Sequence, residues 1–168
     1  MFNSNITLST KMLGVDYMLF ATYEEFAELE QAITKFLRNG WKDEKYINNF
    51  NEELCDVLLM IEWFLVAFLK TGIPDKNVRF FNEKSSSDTI LKYLLTNILD
   101  CKRYLLPIVL ENKPLETKEV GLKLKTLYSN LLYLIEYSDD SSEFYNVITV
   151  DNVNKWCSYK NERNSKFE

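Results

Sequence analysis

The chain has 168 residues, 46% of them apolar, so it can form one domain with a real core and is not a disordered chain. Its net charge of −5 disfavours a nucleic-acid partner or an acidic membrane, because both require a positive protein surface. Histidine is absent, which excludes His-activated nucleophiles and His-ligated metal sites. Glycine (4) and proline (3) are few, which favours helices over strands joined by tight turns.

The cysteines and the N-terminal segment indicate an intracellular type of chain. Cys55, Cys101 and Cys157 are odd in number and widely spaced, so they indicate neither a zinc site nor a disulfide framework. The N-terminus lacks the basic region and the small-residue cleavage site of a signal peptide. The longest apolar run, residues 57–69, contains Glu62 and is shorter than the roughly 20 residues of a membrane span. We therefore expect a cytoplasmic protein with reduced, partly buried cysteines.

The first half of the chain predicts an arm followed by two helices. Residues 1–21 are expected to form an arm or a short helix. Thr22 followed by Glu25 matches a capping box, so the first clear helix is predicted to begin there and to end at Gly40. The second helix is predicted over residues 43–70. Its C-terminal half is apolar on nearly all sides and should be buried against several helices or another subunit.

The second half of the chain predicts three more helices. The first begins at Ser87 or Asp88 and reaches about residue 105, where Pro107 should bend or end it. The other predicted elements are a helix at about 115–137, a short helix from 151 to 159 and a charged tail at 160–168. The fold is therefore predicted to be an all-α bundle of four to five helices that contains an antiparallel hairpin, with the main domain at residues 22–159.

Acidic residues form a matching pattern on the first two predicted helices. Glu25 and Glu28 are three residues apart, as are Glu53 and Asp56, so each pair shares a helix face. After Glu25 and after Glu53, apolar residues follow at +1, +4 and +8, so both pairs border the same edge of an apolar stripe. An antiparallel hairpin that turns at Gly40–Trp41 would place all four carboxylates at one level.

Four carboxylates in one patch predict a site for a hard cation. Oxygen-only ligands suit Mg²⁺ or Mn²⁺ rather than zinc, and Mg²⁺ held by few protein groups keeps positions for phosphate oxygens and water. An ordinary alternative stays open, because glutamates at the start of a helix are stabilised by capping and by the helix dipole. That alternative explains Glu24 and Glu25 better than Glu28 and Asp56, which lie beyond the first turn of the predicted helices.

The segment from Glu24 to Glu62 resembles the signature of the MazG-type all-α nucleoside triphosphate pyrophosphatases. That signature is EExxE, a variable spacer and then ExxD. The resemblance covers roughly 40 of the 168 residues. In this chain it reads Glu24-Glu25-Phe26-Ala27-Glu28, a spacer of 24 residues, Glu53-Leu54-Cys55-Asp56 and the apolar run from Val57 to Ile61.

The resemblance implies a Mg²⁺-dependent enzyme, with Mn²⁺ as a possible substitute, that splits nucleoside triphosphates into a monophosphate and pyrophosphate. It implies that Glu25, Glu28, Glu53 and Asp56 hold the metal and that Glu24 polarises the attacking water. Members of the family are usually dimers or tetramers. We therefore expect a homodimer or homotetramer with a nucleotide substrate and neither a nucleic-acid nor a membrane partner.

Basic and aromatic residues are candidates for contacts with the nucleotide. Lys35 lies two turns beyond Glu28 on the same predicted helix face, and Arg38 is close to that face. The further candidates are Lys102, Arg103, Lys160 and Arg163 for phosphates, and Trp41 for stacking on a base. For each basic residue the ordinary alternative is a solvated surface charge, and for Trp41 it is packing at the turn.

Two other functions stay open at this point. The same scaffold could act on a special nucleotide, such as dUTP, a damaged nucleotide or an alarmone. Alternatively, the chain could be a helical interaction protein without catalysis, whose acids serve only solubility. The resemblance favours the nucleotide pyrophosphatase, since solubility alone requires no particular spacing of acids.

Overall fold

The computed structural model describes residues 15–39, 43–72, 86–111, 117–138 and 150–165. These residues form five α-helices and one π-helical segment and contain no β-strand, so the all-α prediction is confirmed. The elements are α1 (Val15–Asn39), α2 (Glu44–Trp63), the π-helical segment Phe64–Phe68, α3 (Ser87–Glu111), α4 (Thr117–Ser138) and α5 (Val150–Ser165).

The start of α1 differs from the prediction. The helix begins at Val15, so the helix start predicted at Thr22 is wrong. Thr22 is buried inside the helix, where its hydroxyl donates a hydrogen bond of 2.7 Å to the carbonyl oxygen of Met18. Met18 and Leu19 are also buried in the core. Burial of their apolar side chains stabilises the helical turns before Thr22, which the capping-box pattern does not predict. The acids that follow Thr22 therefore lie inside a helix.

The second helix agrees with its predicted range. Asp43 caps α2 by accepting a hydrogen bond of 2.9 Å from the backbone N–H of Lys45, and helical structure continues through the π-helical segment. Residues 54–65 are all buried, because α2 is packed against α1, α4 and α5 of the same chain. Burial of this apolar segment therefore requires no second subunit. Among the described residues, no helix is long and apolar enough to cross a membrane.

The predicted end of α3 at about residue 105 is wrong, because the helix continues through Pro107 to Glu111, and a bend at this proline stays a prediction. A proline inside a helix costs about 3 kcal/mol or more, since it lacks an N–H and clashes with the preceding turn. Leu105 is fully buried on one side of Pro107, and Ile108 and Val109 pack against the core on the other. Full burial of a side chain such as Leu105 contributes about 1.5–3 kcal/mol, and the partly buried Ile108 and Val109 add a smaller share, so packing on both sides offsets the cost of the proline.

The last two helices lie close to their predicted ranges. α5 extends beyond the predicted end at residue 159, so part of the expected tail is helical. Val153 and Cys157 are buried, and they anchor α5 against α2. The ranges 1–14, 40–42, 73–85, 112–116, 139–149 and 166–168 lie outside the described residues, and they include most of the predicted arm and the turn at Gly40–Trp41.

Two contacts hold α2, which carries half of the predicted metal ligands. The rings of Phe36 on α1 and Phe50 on α2 pack with centroids 5.4 Å apart. On another side of α2, the hydroxyl of Tyr128 on α4 donates a hydrogen bond to the buried carboxylate of Glu62. Helices on different sides of α2 therefore determine the direction in which its acidic face points.

A buried thiol and a buried tyrosine hydroxyl make the stability of the fold sensitive to alkaline pH. Burial raises the pKa of the Cys101 thiol from its ordinary value of 9.0 to about 12, with Asp100 adding to the shift and Lys123 opposing it. Burial and the hydrogen bond to Glu62 also raise the pKa of the Tyr128 hydroxyl. Because both pKa values are higher in the folded state, the stabilisation is complete below the unfolded-state pKa values. It is lost as pH rises through the folded-state values.

We expect the free energy of unfolding to fall by about 1.4 kcal/mol per pH unit above the unfolded-state pKa for the Cys101 thiol alone. Urea denaturation at a series of pH values would measure this slope. A Cys101→Ala variant should be less stable at neutral pH, because a buried group is lost, but its stability should fall less steeply with pH. An unfolding free energy that stays constant from neutral pH to about pH 11 would contradict this expectation.

Candidate metal centre

Helices α1 and α2 bring three of the predicted metal ligands together. Glu25 on α1 and Glu53 and Asp56 on α2 each place one carboxylate oxygen within 4.8 Å of the others. Asp56 is only 9% exposed, and the two glutamates are partly buried. We refer to Glu25, Glu53 and Asp56 as the acidic triad.

The position of the acidic triad removes the helix-start explanation for its members. α1 begins at Val15 and α2 at Glu44, so Glu25, Glu53 and Asp56 all lie well beyond the first helical turn. The helix dipole stabilises acids only within that first turn, and capping acts at the same place. Solubility also explains these acids poorly, since a soluble surface needs exposed charges and these side chains are partly or fully buried.

Buried neighbours in the sequence position the acids at the edge of the helix seam. Phe26 directly follows Glu25, and Val57 directly follows Asp56, and both apolar side chains are fully buried. Leu54, which follows Glu53, is fully buried as well. Successive residues point about 100° apart around a helix, so burial of one neighbour places the acid beside the apolar seam. Each acid of the triad is therefore held at the edge of the seam by the buried apolar residue that follows it.

The electrostatics and chemistry of the acidic triad fit a hard divalent cation. Two unit charges at this separation repel by about 3–4 kcal/mol at an effective dielectric constant of 20, so close carboxylates need protons or cationic charge nearby. Carboxylate oxygens are the ligands that Mg²⁺ and Mn²⁺ prefer. Three protein ligands also leave positions for water and phosphate oxygens, which a catalytic magnesium site requires.

Asn49 is a polar neighbour of the acidic triad that the sequence analysis missed. Its side-chain amide donates a hydrogen bond of 2.6 Å to Oε1 of Glu53. The signal was present in the spacing, because Asn49, Glu53 and Asp56 stand at i, i+4 and i+7 and therefore share one face of α2. Because this amide carries no charge, a pattern of acidic residues does not include it.

Two predicted acids are not members of the acidic triad. Glu28 is exposed on α1, three residues after Glu25 and about 60° further around the helix. Glu24 is also exposed. Because adjacent residues of a helix do not share a face, Glu24 points away from the face on which Glu25 lies. Metal binding by Glu28 and polarisation of water by Glu24 therefore stay predictions.

The predicted substrate contacts on α1 lie towards its C-terminal end. Lys35 is partly buried and Arg38 is exposed. At 1.5 Å per residue, Lys35 lies about 10 Å beyond Glu28 along the helix axis. Their contact with phosphate stays a prediction. Trp41 and the side chains of Lys160 and Arg163, which were also predicted to contact substrate, lie outside the described part of the chain.

The predicted substrate contacts on α3 have protein partners. The ammonium of Lys102 lies 2.7 Å from a carboxylate oxygen of Glu30 and 5.2 Å from the ring centroid of Tyr23. Both partners lie about 140–160° around α1 from Glu25, so Lys102 contacts a different side of α1 from the acidic triad. Arg103 is exposed, with one guanidinium nitrogen 3.7 Å from Asp100. A role in binding phosphate stays a prediction for both cations.

Comparisons with known proteins give no match to a family model, to a curated protein or to a solved structure. The function is therefore inferred from the acidic triad and from the residues around it.

Proposed function

We propose that this chain is a Mg²⁺-dependent hydrolase that converts nucleoside triphosphates into a nucleoside monophosphate and pyrophosphate. The observation that carries the proposal is the acidic triad, in which carboxylates from two helices converge away from the helix ends. The choice of nucleotide rests on the resemblance of the two acidic motifs to those of the MazG-type pyrophosphatases. Under this proposal the enzyme acts in the cytoplasm.

The metal ligands in this proposal come from both helices. Glu25, Glu53 and Asp56 supply one oxygen each, and Glu28 completes the set from the exposed edge of α1. Bound Mg²⁺ would neutralise phosphate charge and orient the attacking water. Asp56 contributes the shortest and most buried side chain, so it has the least freedom to leave the site.

The remaining residues bind the nucleotide and move a proton. The water oxygen attacks the α-phosphorus, and the carboxylate of Glu24 accepts the proton that this water releases. The bond from the α-phosphorus to the oxygen that bridges to the β-phosphorus breaks, and pyrophosphate leaves with that oxygen. A general base of this kind contributes about 10²–10⁴ in rate. Lys35 and Arg38, towards the end of α1, bind the phosphates.

The proposal includes an antiparallel hairpin and a homo-oligomer. The hairpin is supported by the short connection between the two packed helices, since only residues 40–43 join α1 to α2 and short connections are typical of antiparallel neighbours. A homodimer or homotetramer is supported by leucines on α3 that are exposed in the single chain. Leu99, Leu106 and Leu110 are spaced by seven and four residues and so share one helix face.

A product assay tests the proposed reaction. Purified protein would be incubated with Mg²⁺ and a panel of nucleotides that includes common triphosphates, dUTP, an oxidised nucleotide and an alarmone. ³¹P NMR would then distinguish pyrophosphate from orthophosphate. From each triphosphate that is a substrate we expect pyrophosphate and a monophosphate in equal amounts, and no turnover when EDTA replaces Mg²⁺. Release of orthophosphate as the first product would contradict the assigned bond cleavage. Absence of turnover on every nucleotide would favour a non-catalytic interaction protein.

A further inference from the structure

Asn49 makes a direct contact with one member of the acidic triad. Both residues lie on α2, where the amide nitrogen of Asn49 is 2.6 Å from Oε1 of Glu53. The bond joins residues four apart, which lie one above the other on a helix face. Asn49 is partly buried, so the hydrogen bond is shielded from competition with bulk water.

We propose that Asn49 is a positioning residue that orients the Glu53 carboxylate for binding a divalent cation. This inference rests on the proposed function, because it assigns Asn49 a task only if the acidic triad holds a metal. A glutamate has three side-chain torsions, and ordering them on metal binding costs conformational entropy. Asn49 fixes the carboxylate before the cation arrives, so less of that entropy is lost in the binding step.

The chemistry of an amide suits this task better than that of a cation. The amide of Asn49 is neutral, so its hydrogen bond to Glu53 leaves the negative charge of the carboxylate in place. A lysine at the same position would neutralise that charge and compete with the metal. Asn49 also lies two turns before Asp56 on the same face, so Glu53 stands between Asn49 and Asp56.

Helix stability does not explain the presence of an asparagine at position 49. Asparagine is less favourable than alanine in a helix interior, because its side chain competes for backbone hydrogen bonds. If the amide acted only by stabilising the helix through its hydrogen bond to Glu53, Asn49→Ala would lower the thermal midpoint and leave metal binding unchanged. A positioning role predicts that the same variant keeps its stability but binds metal more weakly.

The test is a Mn²⁺ titration of the full chain without nucleotide, with free Mn²⁺ measured by electron paramagnetic resonance. We expect Asn49→Ala to raise the Kd for Mn²⁺ by roughly ten- to a hundredfold, as loss of a residue that orients a ligand does in known metal sites. Asn49→Gln, which keeps an amide donor, should lie closer to the natural protein. Asn48→Ala is the matched control, because Asn48 is the exposed neighbour on α2 and points about 100° away. Its Kd should be unchanged.

The outcomes separate this inference from the proposed function. If the natural protein binds one Mn²⁺ and Asn49→Ala binds it with the same Kd, the positioning role is wrong and the proposed function stands. If the natural protein binds no Mn²⁺, the proposed function fails and the inference fails with it. Thermal unfolding in EDTA completes the test, since a markedly lower midpoint for Asn49→Ala than for Asn48→Ala would assign the amide a structural role instead.

Discussion

Replacement of Glu53 by glutamine is expected to lower Mg²⁺-dependent nucleotide hydrolysis by roughly 10³-fold or more. Glu53 places one carboxylate oxygen within 4.8 Å of an oxygen of each other acid in the triad, and it also accepts the hydrogen bond from Asn49. A catalytic metal supplies several kcal/mol of transition-state stabilisation, and each 1.36 kcal/mol corresponds to a factor of about ten in rate. Initial rates of pyrophosphate release at a fixed Mg²⁺ concentration would measure the loss.

The fold should survive this substitution, because Glu53→Gln removes one of three neighbouring negative charges and relieves repulsion among them. Thermal unfolding in EDTA should therefore show a midpoint no lower than that of the natural protein. Added Mg²⁺ should raise the midpoint of the natural protein by mass action but leave that of Glu53→Gln unchanged. Glu44→Gln is the matched control, since Glu44 is exposed in the first turn of the same helix. Full activity in Glu53→Gln would contradict the assignment.

Replacement of Phe50 by alanine is expected to destabilise the fold by about 3–5 kcal/mol, the usual cost of truncating a buried phenylalanine. Phe50 is fully buried on α2, and its ring packs against that of Phe36 on α1. This pair joins the two helices that carry the acidic triad. The variant should therefore also bind Mn²⁺ more weakly, because the separation of Glu25 from Asp56 depends on the packing of α1 against α2.

Urea denaturation measures the effect of Phe50→Ala, and Phe20→Ala provides a control on the same pair of helices. Phe20 lies on α1 and is 52% exposed, so its truncation should change the unfolding free energy by only about 0.5 kcal/mol. Equal losses in the two variants would show that the ring pair does not hold α1 against α2.

The helices of this chain were predictable where apolar periodicity is strong, but the start of α1 and the end of α3 were not. The capping box at Thr22 is a local signal, whereas burial of Met18 and Leu19 is a tertiary contact that extends α1 to Val15. Pro107 shows the same competition on α3, where packing of the neighbouring residues outweighs the preference of proline for a helix end. In both cases packing between distant segments of the chain overrides the local preference of Thr22 for a helix start and of Pro107 for a helix end.

The acidic triad was predictable because it depends on the apolar periodicity of α1, the apolar periodicity of α2 and the short connection between these two helices. The match of apolar spacing after Glu25 and after Glu53 placed both acids at one edge of the seam, and their carboxylates do lie together with that of Asp56. The exposure of Glu28 was not predictable, since about 60° of rotation around α1 decides whether a side chain faces α2 or solvent. The ion pair of Lys102 with Glu30 joins residues that no local pattern relates.

The claim that the acidic triad holds a divalent cation can be tested by anomalous X-ray scattering from crystals grown with Mn²⁺. We expect an anomalous peak at roughly 2 Å from oxygens of Glu25, Glu53 and Asp56, which is the distance at which small divalent cations bind carboxylates. Crystals of Glu53→Gln should lack that peak. A Mn²⁺ peak elsewhere in the molecule, with none between α1 and α2, would contradict the claim.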